Sequence, residues 1–276
     1  MSGAHNLNLL CKTLLVSRSG YYDWLERRNV PGRRATEDAV LKKRIQHEYQ
    51  KSRRTYGSPR ITRALKQSIS RKRVARLMRE QHLHARQRSK YRVVTTDSRH
   101  ADPIAPNRLR GLVAEQRDQV WVTDATAILT GQGWLYVVAL LDVYTRRIVG
   151  WSMQDSLDAA LVTRALLMAI AQRKPKAGLI VHSDRGSQFA STLYRQTLSD
   201  HHCVASMSRK ANCYDNAQME SFWSSLKYEV VYPQRFHTKA EARAAVFDYI
   251  ETFYNRTRMH SSLGYLSPAQ FESSRN

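Results

Sequence analysis

The chain has 276 residues, with 45 Lys and Arg against 23 Asp and Glu, giving a formal charge of +22 and a pI near 10.3. With 42% hydrophobic and 25% charged residues the composition is that of a folded globular protein, which excludes disorder throughout, and so large a positive excess asks for a polyanionic partner. The longest apolar run, Trp134 to Leu141, is far shorter than the roughly 20 residues that cross a bilayer. The first residues lack a secretory pattern, and Cys11, Cys203 and Cys213 are too scattered for a disulfide framework, so a cytoplasmic protein without a membrane role is expected.

In chain order, residues 7–28 read as two short helices, and Pro31 and Gly32 break the pattern. Between 37 and 51 the positions Val40, Leu41, Ile45 and Tyr49 share one helical face. Ser58 as N-cap and Pro59 at the first helical position start another helix, which stops near Gln67. Ser70 then caps a third, whose apolar stripe is Val74, Leu77 and Met78. This is a helix-turn-helix pattern, and it sends Arg71, Lys72, Arg73 and Arg76 away from the stripe, where a recognition helix meets DNA. Residues 1–85 are therefore expected to be a helical DNA-binding region and 86–118 a basic linker. Residues 1–118 hold 28 Lys and Arg against 10 Asp and Glu, whereas 119–276 hold 17 against 13, so the nucleic-acid affinity should reside mainly in the first part.

From residue 119 the texture changes to three successive strand patterns, QVWVTDATAIL, WLYVVALLDVY and RRIVGWSM, with short turns that imply antiparallel pairing. A helix at 158–172, a buried strand at 179–182, a helix at 189–200, a strand at 204–206 and a helix at 216–228 follow. That order predicts an α/β domain of ribonuclease H-like type over 119–230, a mixed five-stranded sheet with flanking helices, preceded by the all-α region. A helical segment over 231–276 ends the chain, with Gly264 and Pro268 marking its last turn and helix start.

Three acids stand out in the second part. Asp124 lies mid-strand among Trp121, Val122 and Ile128, where a carboxylate is costly unless paired or metal-bound. Asp184 follows the buried strand at its carboxyl end, where α/β sheets place ligands. Glu220 lies on the helix at 216–228. Singly, each is better explained by a satisfied or solvated acid; together they offer hard oxygen ligands for Mg²⁺ or Mn²⁺, because this element order sets the first and fourth strands side by side. At 100° per residue, Asn216 and Lys227 project near the face of Glu220, which makes both candidate DNA contacts. Arg185 fits a substrate contact or a structural partner equally well. Asp142 reads as structural. Gly131-Gln132-Gly133 joins two strands and is no dinucleotide loop.

The segments WVTDATAILTGQGWLYVVALLDVYTRRIVGWSM, VHSDRGSQF and MSRKANCYDNAQMESFWSSLKYE resemble the DDE integrase core of bacterial insertion-sequence transposases, in the retroviral-integrase superfamily. The similarity is greatest to the catalytic OrfB-type subunit of the group whose two reading frames are joined by frameshifting, and it covers roughly residues 7–272. SRSGYYDW and YGSPRITRAL resemble that family's N-terminal region, and YNRTRMHSSLGYLSPAQFE its C-terminal segment. The resemblance implies metal-dependent cleavage of double-stranded DNA at element ends and strand transfer, with Asp124, Asp184 and Glu220 as catalytic and metal-binding residues for two Mg²⁺ or Mn²⁺ ions. It also implies a homo-oligomer on DNA, a companion reading-frame product or fused form, and a nucleoid location when bound. Lys227 resembles the DNA-contacting lysine of integrases, and His182 and His260 match family positions open to packing or catalysis. Ala211 departs from the family's usual Gly before the glutamate. A nuclease of the same fold that only hydrolyses, or a non-catalytic DNA-binding derivative, are the competing expectations.

Overall fold

The computed structural model describes residues 7–28, 32–85, 103–109, 111–208 and 216–275, and its contacts divide the chain after Ala85 into two units. In the first unit, α1 (Leu7–Thr13) and α2 (Arg18–Arg28) precede α3 (Arg33–Lys51), α4 (Ser58–Ala64) and α5 (Arg71–Glu80). The four-residue spacing of Leu41, Ile45 and Tyr49 gives α3 a single buried stripe, and Ile61, Leu65, Val74, Leu77 and Met78 are the buried apolar positions of the helix-turn-helix that follows. Each fully buried aliphatic contributes about 1.5–3 kcal/mol, which these short helices need because their length alone does not stabilise them. Ser70 is extended and its hydroxyl accepts the Arg73 N–H, so α5 begins as expected. Gly57, not Ser58, is the N-cap of α4, and Ser58 already lies in the helix.

Two of the four basic residues assigned to DNA on α5 are instead committed within the unit. Arg73 donates to Asp38 at 2.7 Å and to Glu37 at 3.2 Å, while Arg76 pairs with Asp38 and Glu80. The Arg76 and Arg73 guanidiniums hold the Asp38 carboxyl below the usual carboxylate range. These pairs clamp α5 to α3. Helix periodicity could not show this, because it locates the outward face and not the acids on a neighbouring helix. Arg71 and Lys72 are exposed. Lys72→Ala should therefore weaken duplex binding and flatten its salt dependence by about one unit of log K against log salt, the amount for one lost phosphate contact. Arg73→Ala should lower the melting temperature and leave that slope unchanged. Anisotropy titrations over a salt series check both, and an equal loss of slope for Arg73→Ala would restore it as a phosphate contact.

In the second unit, β1 (Val120–Thr130), β2 (Gly133–Asp142) and β3 (Ile148–Gln154) form an antiparallel meander. Next come α6 (Ala159–Arg173), β4 (Ile180–Ser183), α7 (Ser187–Ala190), α8 (Thr192–Asp200) and β5 (Val204–Met207), with β4 and β5 added parallel to β1. The sheet order is β3-β2-β1-β4-β5, the mixed five-stranded arrangement expected. Alternation along the strands sends Trp121, Val138, Leu140 and Val149 to the face covered by α6, α7 and α8. It sends Val122, Val137, Ala139 and Leu141 to the other face. Two glycines permit close approach: a Cβ on Gly150 would lie 2.4 Å from the Ala165 carbonyl oxygen of α6, and one on Gly131 would lie 2.6 Å from that of His237. The single helix expected at 189–200 is broken by extended Ser191, whose hydroxyl caps α8 by accepting the Tyr194 N–H.

The second face is covered by α9 (Ala217–Leu226), α10 (Lys239–Asp248) and π-helical turns at Lys227–Val231 and Tyr249–Tyr254. The C-terminal segment, 231–276, is thus one layer of the second unit: Phe236, Ala242, Val246, Tyr249, Ile250, Phe253 and Tyr254 share one cluster with Val122, Val137 and Ala139. The final helix α11 (Pro268–Ser273) is tied on by Glu272, which pairs with Arg147 and Arg173, and Arg173 in turn bridges to Asp118 at 2.8 Å. Within the expected linker, residues 86–102 and Arg110 lie outside the described residues, and 103–109 is docked on the core. Ala105 and Leu109 pack against opposite faces of the sheet, and the Arg108 N–H donates to Ser206 Oγ at 2.9 Å.

Candidate active site

The register Val120↔Ile180, Trp121↔Val181, Val122↔His182 runs on to set Asp124 on β1 beside Asp184, one residue past the end of β4. Asp124 shares the face of Val122, so it points to the α9 side of the sheet. There the Trp223 indole N–H donates to Asp124 Oδ2 at 3.1 Å, and the Ala125 N–H donates to Oδ1 at 2.8 Å. Asp184 Oδ1 accepts the Gly186 N–H at 2.9 Å. Glu220 is exposed on the first turn of α9. Burial, reinforced by the charge of Asp184 and to a smaller extent that of Glu220, pushes the Asp124 carboxyl up to about 7, against the lowering effect of its two hydrogen bonds. Lys227, half-buried, is held below the usual lysine range by burial and opposed in this by the charge of Asp124.

The three acids therefore influence one another, yet among the described residues no three carboxylate, imidazole or thiol groups are drawn up closely enough to hold an ion as they stand. The donor set still fits a hard divalent cation. Carboxylate oxygens are its preferred ligands, and burial makes the Asp124 charge costly unless a cation balances it. A cleft of about 820 Å³ opens elsewhere, at the amino-terminal ends of β1 and β4, and is lined by Arg117, Arg173 and Lys176.

The raised Asp124 pKa has a sign that can be tested. A carboxyl whose folded pKa lies above its ordinary value stabilises the fold when protonated, and that contribution is lost as pH rises from about 4 to about 7. In metal-free protein Asp124→Asn should raise the melting temperature at pH 8 and leave it nearly unchanged at pH 4. Thermal denaturation in EDTA at the two pH values checks this, and a variant no more stable than wild type at pH 8 would show that the site carries no electrostatic strain.

Other expected residues fall in less direct places. Asn216 is buried at the amino end of α9 and donates from Nδ2 to the Thr123 carbonyl at 3.3 Å, which ties that helix to β1 next to Asp124. That bond, and not helical rotation, sets its side chain, because Asn216 precedes the helix. Arg185 donates from Nε to the Ser208 carbonyl at 2.7 Å, joining the ends of β4 and β5. Asp142 is fully buried and accepts three hydrogen bonds, from the Asp118 N–H and from the N–H and hydroxyl of Thr145, which closes the β2–β3 turn. His182 is buried against Ser206 Oγ at 2.9 Å, and His260 packs edge-on against Tyr254. Ala211 and Cys213 lie outside the described residues. Sequence reasoning missed Trp223, although its position three residues after Glu220 on one helix places it near the same acids.

Comparison with known proteins places the chain in the integrase-core class of enzymes, which cleave DNA strands and transfer them. The integrase core domain family matches in two pieces, residues 114–213 and 220–275, and an HTH-like domain matches 35–91. The chain is 44% identical over 266 residues to the 31 kDa protein of insertion element IS600 from Shigella sonnei, covering 95% of this chain and 97% of that protein. It is 38% identical over 271 residues to the transposase InsF for insertion sequence IS3A of Escherichia coli, covering 97% and 94%. To the transposase for IS904 of Lactococcus lactis it is 40% identical over 246 residues, covering 88% and 97%. The chain belongs to this family of IS3-type, OrfB-type insertion-sequence transposases, which act on DNA. Solved structures align more weakly. A simian T-cell lymphotropic virus intasome chain gives a TM-score of 0.49 at 13% identity over 83% of this chain and 73% of its own. The HTLV-2 integrase catalytic core in complex with magnesium gives 0.45 at 13% over 58% and 99%. The assignment rests on the sequence relatives.

Proposed function

We propose that Asp124, Asp184 and Glu220 hold two Mg²⁺ or Mn²⁺ ions for cleavage at the ends of an insertion element and for joining of the freed 3′-OH to target DNA. The observation that carries this reading is the juxtaposition of Asp124 and Asp184 on adjacent parallel strands, with Glu220 exposed on the helix packed over them. Ions bound there would polarise the phosphodiester and activate the attacking hydroxyl. The chain's own groups do the rest. Trp223 and the Ala125 N–H fix the two Asp124 oxygens, and the Gly186 N–H fixes Asp184. Lys227 contacts the terminal phosphate. Arg71 and Lys72 anchor the duplex through its phosphates. A companion reading-frame product, or its fusion to this chain, completes the active oligomer, which works in the cytoplasm on nucleoid DNA. Among the described residues no helix is long and apolar enough to cross a membrane.

A gel assay with labelled element ends and Mg²⁺ tests the reading. Shortened and joined products are expected; shortened products alone would mean a nuclease, and a shifted band without cleavage a binding protein. Lys227→Ala should slow joining roughly ten- to a hundredfold by loss of one charge-assisted contact, with the half-saturating Mg²⁺ unchanged, since an ammonium has no lone pair for a metal. A large shift in that Mg²⁺ concentration would make Lys227 an organiser of the carboxylates.

A further inference from the structure

The helix that carries Glu220 does not end as an ordinary α-helix. After Leu226 it widens into the π-helical turn Lys227–Val231, in which the Tyr232 N–H donates to the Lys227 carbonyl at 2.8 Å across five residues. The cause lies on the core side. Glu229 is drawn inward by Arg258, whose Nε and Nη2 donate to its carboxylate at 2.8–3.1 Å, and by the Tyr249 hydroxyl, which donates at 2.9 Å. Val230 is buried beside it. A straight α-helix would carry Tyr232 roughly 120° round from Glu220, and the wider turn brings it back toward the Glu220 side. Glu220 and Tyr232 are exposed, Tyr232 at 43%, with Lys227 and Tyr228 half-buried between them.

The two tyrosine rings meet edge to face, with centroids 5.3 Å apart and planes 80° apart, so Tyr228 braces Tyr232. Exposed Arg235 follows three residues on. Two cations, Lys227 and Arg235, flank two aromatic rings in the chain, which is the composition of a track for a nucleic-acid strand, in which bases stack on rings and phosphates meet cations. A base inside a duplex has both faces covered, so a ring can stack only on a terminal or unpaired base. Twelve residues separate Glu220 from Tyr232, about 18 Å along a helix axis, or roughly five nucleotides at 3.4 Å each.

We propose that Tyr232, braced by Tyr228, stacks on an unpaired base of the DNA strand, roughly five nucleotides from the phosphate held at the carboxylates. This rests on the reading of those carboxylates as the reaction centre. The test uses the full chain in EDTA, where binding is read apart from catalysis. The probe is a duplex of the DNA flanking the gene with a six-nucleotide single-stranded tail, carrying 2-aminopurine at one tail position at a time. Wild type should quench the fluorophore at one position four to six nucleotides from the duplex junction. Tyr232→Ala and Tyr232→Leu should abolish that quench and weaken tailed-duplex binding about five- to a hundredfold, the range for one lost base–aromatic stack, with blunt-duplex binding unchanged. Tyr232→Phe should behave as wild type. Unchanged tailed binding in both Tyr232→Ala and Tyr232→Leu, equal losses on tailed and blunt DNA, or a Tyr232→Phe loss as large as that of Tyr232→Ala would each overturn the proposal. The same preparations assayed with Mg²⁺ keep the two readings apart: a wild type that makes no product sinks the reaction centre, whereas a wild type that joins DNA beside an indifferent Tyr232→Ala sinks only the stacking site.

Discussion

Asp124→Asn, Asp184→Asn and Glu220→Gln are each expected to reduce cleavage and joining by on the order of 10³-fold or more, about 4 kcal/mol of transition-state stabilisation, while duplex binding stays within a factor of about two. The reason is a separation of charges. The substitutions would remove negative charge from the proposed cation site and leave every basic residue in place, 28 of the 45 Lys and Arg falling in residues 1–118. Band shifts measured beside single-turnover joining in Mg²⁺ separate the two effects. Glu220→Gln is the most informative of the three. Asp124 and Asp184 are placed by paired strands, whereas Glu220 is exposed on α9 and must swing in to meet a shared ion. Normal Mg²⁺-dependent joining by Glu220→Gln would remove it from the site and leave a two-carboxylate centre.

How much of this was legible in the sequence depended on whether a feature is local. Strand alternation around Asp124, the short turns of the meander and the Ser70 cap are written in neighbouring residues, and the structure reproduces them. The sheet order is not local in this way: periodicity gives the strands but not their order, and the pairing of β1 with β4 joins residues 60 apart. Features set by partners distant in sequence were not legible. Arg73 and Arg76 look outward on a helical wheel, yet Asp38, some 35 residues earlier, captures both. The apolar face of 231–276 shows that it packs on something, but not that its partner is the face of β1 and β2 around Val122 and Ala139. The π-helical turns have no local signature in these residues. The turn at 227–231 coincides with the position where Glu229, three residues past the end of α9, meets Arg258.

That buried pair should give the largest stability effect in the second unit. The Arg258 and Glu229 side chains are only 6% and 9% exposed, and Arg258 Nη2 also donates to Ser225 Oγ at 3.1 Å. Arg258→Met would strand the Glu229 charge among Tyr249, Phe253 and Val230, at a cost of about 3–5 kcal/mol, or a fall of roughly 6–20 °C in melting temperature for a unit of this size. Adding Glu229→Leu should recover most of that loss, because an apolar pair of similar volume replaces a buried ion pair at little net cost. Activity should not recover with stability. Without Arg258 pulling Glu229 inward, nothing forces the wide turn, and the residues beyond Leu226 can revert to α-helical rotation that moves Tyr232 away from Glu220. Thermal denaturation of wild type, both single variants and the double variant, set beside joining rates at a temperature where all are folded, measures the two consequences separately. A double variant that regains stability and full joining rate together would mean that the pair holds the fold and has no part in aiming the helix.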